Sequence, residues 1–307
     1  MHSSSPSNLA SPLIPLRSPR NIESPILCIP GAGASVTAFN DFVGAMGERW
    51  PIFGLQPRGI DPREPPHTSV EEAAVYYLES LVDLRPGGPI HLVGHSFGGL
   101  VALEMALRLN SGGRAIASLT LIDTEPPDAT EHLDRTQQSL EIGEIYGEFV
   151  EVFEGIFERT LSIDETNLAS GNGEAFLIDL HAALVRSRCF SARTTPEILR
   201  GSLATFVAAR LTTYVPMSVY PQTVHLVLAG SDRPSRYRSL LEAAAMKETY
   251  VVDWRHHAPK LEVWRGPGHH FSILQLPQVA SLAAWWQRTR AIESESPRLF
   301  QPPDHHR

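Results

Sequence analysis

Cysteine is scarce, with only Cys28 and Cys189 in 307 residues. A disulfide-stapled secreted scaffold is thereby excluded, and a reducing, cytoplasmic setting is expected. Long apolar runs are missing too. No window approaches the roughly 18 consecutive apolar residues that a membrane-spanning helix needs. Positive charge is in deficit: 26 Lys and Arg against 34 Asp and Glu give a net charge of −8, which disfavours nucleic acid or another polyanion as partner. The N-terminus has no basic segment followed by an apolar core. Pro6, Pro12, Pro15 and Pro19 interrupt its apolar stretches, so it does not read as a signal peptide. Internal repeats are absent, and so is metal-ligand spacing. The tail pair His305 and His306 has no further ligand nearby in sequence and reads as solvated.

What is present describes an ordinary globular chain, 42% apolar and 20% charged. Length alone suggests two domains of about 150 residues. The chain pattern suggests one. Apolar runs at 25–30, 52–56, 90–93 and 117–122 read as strands, with helical segments at 38–46, 70–84 and 97–109 between them. Ser69 is the expected N-cap of the second helix. Strands joined by helices imply crossovers and a largely parallel sheet, an α/β core. The alternation then stops. From 124 to about 220 the pattern is helical, at 140–159, 174–188 and 196–214. It resumes with strands at 224–229 and 261–264 and helices near 239–248 and 277–288. The expected organisation is a linker-like segment 1–24, one domain at 25–290 with a helical lid at about 125–220, and a flexible tail at 291–307.

The sharpest motif is Gly94-His95-Ser96-Phe97-Gly98, placed after the strand PIHLV and before the helix LVALEMALRL. A strand, a tight turn and a helix are what a nucleophile elbow requires. Such a turn holds a serine at the C-terminal edge of the sheet, where open α/β folds bind ligands. The helix N-terminus favours negative charge developing there.

A serine needs a base, and the base needs an orienting carboxylate. Of 13 histidines, only His269 and His270 lie on the loop between the last strand and the last helix, and position leaves both open. His91 lies in a strand, His181 in the lid and His256–His257 in a polar loop, while His95 reads as structural. Asp123 ends the strand IASLTLID and Asp232 follows the strand HLVLAG, and the two compete as orienter; Glu125 and Asp128 lie further on. The backbone N–H groups of Gly31 and Phe97 are the expected oxyanion hole.

These segments resemble the thioesterase domains of non-ribosomal peptide and polyketide synthetases, within the α/β-hydrolase fold. The likeness is carried by PILCIPGAGASVTAF, IFGLQPRGIDPREPPHTSVEEAAVYYLESL, GGPIHLVGHSFGGLVALEMALRL, LTLIDTEPP and GHHFSIL. The resemblance implies Asp123 as orienter, from the LIDTEPP context, and His270 as base, from G-x-H-F. It leaves Asp232 and His269 as the alternatives. It further implies an acyl or peptidyl chain on the phosphopantetheine of a carrier protein, released by hydrolysis or macrocyclisation through a Ser96 acyl-enzyme. No cofactor is expected in the domain itself, and no metal. The other readings are a discrete editing thioesterase, a generic carboxylesterase or lipase, and a catalytically inactive binding module. A carrier would need a basic patch, for which Arg186–Arg188–Arg193 and Arg233–Arg236–Arg238 are the candidates.

Overall fold

The computed structural model describes residues 11–18, 23–81, 84, 88–127, 142–233 and 240–295, with backbone alone at 240–244 and 292–295. Asp128, Arg236, Arg238, His305 and His306 fall outside these residues.

Seven strands form one sheet in the order β1-β3-β2-β4-β5-β6-β7. They are β1 (Leu13–Arg17), β2 (Ile26–Ile29), β3 (Ile52–Leu55), β4 (Ile90–His95), β5 (Ile116–Ile122), β6 (Val224–Ala229) and β7 (Leu261–Gly266). Every pairing is parallel except β1 with β3, which is antiparallel. Parallel strands covered on both faces carry continuous apolar runs. Accordingly β2 and β6 are buried at every residue. Alternate side chains serve opposite layers. Leu27, Leu92, Leu121 and Leu226 pack against α2 (Val70–Glu79), α3 (Phe97–Ser111) and α8 (Leu240–His257), whereas Ile26, Val93, Ile122 and Val227 pack against α1 (Asn40–Ala45) and α9 (Gln278–Glu295).

Between β5 and β6 lie α4 (Ile142–Phe157), α5 (Glu165–Ala169), α6 (Gly173–Arg186) and α7 (Glu197–Leu211). They bury a core of their own, built on Phe149, Phe176, Leu180 and Phe206. The arrangement is an α/β-hydrolase sheet with a helical insertion.

Local chemistry accounts for the element boundaries. Ser69 Oγ accepts the Glu72 N–H at 3.0 Å and starts α2. That helix ends at Glu79, earlier than its apolar pattern suggests, with Ser80 as its C-cap. Four further expectations are corrected. Leu13–Arg17, inside the supposed linker, is an edge strand, and an edge is where its Pro15 is tolerated. A 3₁₀ turn at Val36–Phe39 precedes α1, so the first helix is shorter than expected. The helix α8 runs on to His257, which places His256 and His257 in its last turn and not in a loop. Finally, α9 continues to Glu295, into the supposed tail; its Trp286, Leu282 and Val279 bury against the sheet.

Candidate active site

Ser96 sits between β4 and α3 at φ 53° and ψ −129°. A non-glycine residue in that region is strained and persists only where its surroundings enforce it. The enforcement is visible. Ser96 N–H donates to the Ile122 carbonyl at 2.8 Å, and its own carbonyl accepts the Gly99 N–H at 2.8 Å. Gly94 and Gly98 permit the approach of strand, turn and helix. A methyl group on Gly94 would strike the Gly98 carbonyl, and one on Gly98 would strike the Ile29 and Pro30 carbonyls.

Gly31 follows β2 and lies against the serine: a Cβ built on it would stand 3.0 Å from Ser96 Cβ. Phe97 opens α3 directly after Ser96. Both residues expected to supply oxyanion N–H groups therefore flank the serine.

Asp123 ends β5 in a left-handed conformation, φ 47°, which Asp tolerates better than most side chains. Its N–H donates to the Val227 carbonyl at 2.7 Å, and its Oδ1 accepts the Ala229 N–H at 2.8 Å. Its Oδ2 is 2.8 Å from His270 Nδ1. Burial acts to raise the Asp123 pKa, yet the His270 hydrogen bond, the charges of His270 and Lys247 and the Ala229 N–H outweigh it. The carboxyl is held well below the usual carboxylate range.

His270 is thus the histidine joined to a carboxylate at this edge. His269 turns back on its own loop: its Nδ1 accepts the Phe271 N–H at 3.3 Å. Its pKa is lowered, mainly by burial and then by Arg233. Asp232 is engaged elsewhere, 2.6 Å from Lys247 Nζ. Glu125 accepts the Tyr250 hydroxyl at 2.9 Å.

His95 reaches the same edge of the sheet as His270, contrary to the expectation that it points away. Its Nε2 is 3.0 Å from the His270 carbonyl, and the two rings are 4.9 Å apart. Burial, followed by the proximity of His270, pushes its pKa down to about 3, so the neutral ring serves as the donor that pins this loop.

A second Ser–His contact, His91 Nδ1 to Ser118 Oγ at 2.8 Å, is of another kind. It lies near the opposite ends of β4 and β5, roughly 17 Å from Ser96 at about 3.3 Å per strand residue. The His91 ring is flanked by Trp50 and Trp286 at 5.2 and 5.0 Å. It is core packing.

The insertion touches both loops that frame the serine. A Cβ on Gly33 would meet the Ser202 carbonyl of α7 at 3.0 Å and Phe206 Cβ at 3.1 Å. Gly155 of α4 faces the Phe271 ring so closely that a methyl group there would overlap it. The Phe271 ring in turn stands edge-on to His270 at 5.0 Å. Arg186, Arg188 and Arg193 are exposed on the insertion. Sequence reasoning missed three contributors: Lys247, the His95 anchor and the Gly155–Phe271 contact. A lone lysine on a surface helix and a lone glycine in an apolar one carry no motif. Among the described residues no cluster of three or more metal-ligating side chains occurs.

The family described as "Thioesterase domain" matches residues 24–285. A dimodular nonribosomal peptide synthase of Bacillus subtilis (strain 168) is 33% identical over 114 residues, 37% of this chain and 5% of that protein. The chain therefore corresponds to only a small part of its curated relative. A holo four-domain nonribosomal peptide synthetase bound to AMP and glycine superposes with a TM-score of 0.73 at 19% identity, covering 91% of this chain and 20% of that one. The Vlm2 thioesterase domain bound with a dodecadepsipeptide gives 0.61 at 20% identity, with 90% and 97% covered. At these identities the solved structures speak for the fold.

Proposed function

This chain belongs to the thioesterase domain family, and from that premise we propose that it releases an acyl or peptidyl chain from the phosphopantetheine of a carrier protein in non-ribosomal peptide or polyketide assembly. The observation that carries the reading is the 2.8 Å bond between His270 Nδ1 and Asp123 Oδ2, at the sheet edge where Ser96 is held strained.

With Nδ1 committed to Asp123, His270 Nε2 is the nitrogen that exchanges protons with Ser96. Ser96 Oγ attacks the thioester carbonyl as Nε2 takes its proton. The Gly31 and Phe97 N–H groups stabilise the oxyanion, each contributing about 2.7–4 kcal/mol of transition-state stabilisation. The tetrahedral intermediate expels the pantetheine thiolate, which takes the proton from the imidazolium. The resulting ester at Ser96 is opened by water, giving an acid, or by an amine or hydroxyl of the chain itself, giving a ring. His270 again accepts the proton of the attacking group and returns it to Ser96 Oγ. The insertion packs against both loops that frame Ser96, and a lid that excludes water there would favour ring closure over hydrolysis.

Mass spectrometry after incubation with an acyl-pantetheine thioester tests the assignment. The wild-type chain gains the acyl mass on Ser96, and Ser96→Ala gains none. Acylation of the alanine variant would refute the assignment. A strong preference for simple oxygen esters over the thioester would instead indicate a carboxylesterase.

A further inference from the structure

Lys247, on α8, belongs to no motif, yet its ammonium lies between the two carboxylates that competed in the sequence. Nζ is 2.6 Å from Asp232 Oδ1 and 3.8 Å from Asp123 Oδ1. It donates to the Ala229 carbonyl at 3.1 Å, and the Ser231 carbonyl stands at 3.5 Å. Its side chain is 13% exposed. A lysine this enclosed is stabilised only by such partners.

We propose that Lys247 is a positioning residue for the acyl-transfer centre, one that neutralises Asp232 and secures the turn after β6, so that Asp123 alone serves His270. The inference rests on the reading of Ser96, His270 and Asp123 given above.

The contacts divide the labour. Asp123 Oδ1 is occupied by the Ala229 N–H and faces the ammonium, which leaves Oδ2 for the imidazole. The same turn is joined to the histidine loop, because Gly230 N–H donates to the Gly266 carbonyl at 2.7 Å and Ser231 N–H to the Gly268 carbonyl at 2.9 Å. Lys247 therefore holds both the carboxylate and the loop it must meet. Without the ammonium the two carboxylates that contact it would repel one another, and their negative charge would fall on the imidazole.

Other groups facing this centre are His95 at the end of β4, His269 beside His270, and Arg233 and Glu158, which both act on His269. Glu125 is held by Tyr250 of α8. Of these neighbours, Lys247 is the cation placed against Asp123 itself.

The test is the pH profile of kcat/KM on an acyl-pantetheine thioester for the intact chain, Lys247→Met, Asp232→Asn and the double variant. Removing the ammonium leaves excess negative charge beside the imidazole and favours its protonated, inactive form. The acidic limb then moves up by about one pH unit in Lys247→Met. Asp232→Asn leaves the ammonium to Asp123 alone and moves the limb down. The double variant returns toward wild type, and the downfield N–H resonance shared by His270 and Asp123 follows the same order. Where Lys247→Met does not fold, the step from Asp232→Asn to the double variant must raise the limb. Limbs and resonance unmoved across the series overturn the role of Lys247, provided fluorophosphonate still labels Ser96. Failure of the wild-type chain to label at Ser96 instead overturns the underlying acyl-transfer reading.

Discussion

At the scale of single residues, what distinguishes Asp123 from Asp232 is the partner each one has. Both follow parallel strands at one edge of the sheet, Asp123 directly after β5 and Asp232 three residues after β6, and both are partly or wholly buried. Asp123 accepts from a backbone N–H and pairs with the imidazole, whereas Asp232 is bound to an ammonium. Asp123→Asn should therefore lower kcat by about 10⁴-fold, because the amide no longer secures the required imidazole tautomer. Asp232→Asn should stay within about tenfold of wild type, since it changes only the charge balance around a correctly held pair. Steady-state rates on one thioester substrate check both, and the reverse ranking would transfer the orienting role to Asp232. The LIDTEPP segment pointed to Asp123 by resemblance. The residues by themselves left the two open, because strand ends are readable from pattern and side-chain partners are not.

At the scale of elements, the strand–turn–helix at Ser96 was fully legible. Glycine spacing, an apolar strand before it and an Ala- and Leu-rich helix after it all specify the same turn. The insertion was legible as helices but not as contacts. The placement of Gly155 of α4 over Phe271 links the lid to the residue that follows His270, and it depends on how two distant segments cross. Gly155→Ala should cost about 1–3 kcal/mol, through overpacking against the ring. It should also slow turnover, because the Phe271 ring flanks His270. Adding Phe271→Ala to that variant makes room for the methyl group and should recover part of the lost stability. Urea unfolding of the single and double variants measures this, and equal midpoints for the two would show that the contact is slack. The edge strand β1 was missed for a related reason. Its proline looks like a breaker until a sheet edge is there to accept it.

Across the whole molecule, two histidines, the buried His91 and the half-buried His95, tie stability to pH. Burial, then the charge of Arg290, pushes the His91 pKa down to about 3, and His95 is pushed down to a similar value. In the unfolded chain such rings take up protons below about pH 6.5, while the folded chain keeps them neutral. Stability is therefore complete above that pH and falls as the solution is acidified toward pH 3. Each ring contributes a slope of up to about 1.4 kcal/mol per pH unit. His91→Gln should flatten this slope between pH 6 and 4, whatever it does to stability at neutral pH. Urea midpoints at several pH values decide it; parallel lines for the two proteins would assign the acid sensitivity to other groups.

The fold class, the elbow serine and the two histidines after the last strand came from sequence alone, because local periodicity and turn chemistry act over a few residues. So did the helical character of the insertion and the absence of any apolar run long enough to span a membrane. Tertiary structure decided which histidine meets which carboxylate, where Lys247 sits, and how closely the insertion presses on the histidine loop. Those outcomes depend on strands far apart in the chain converging at one edge. Their side chains meet within hydrogen-bond distance only after the sheet has twisted, packed and excluded water.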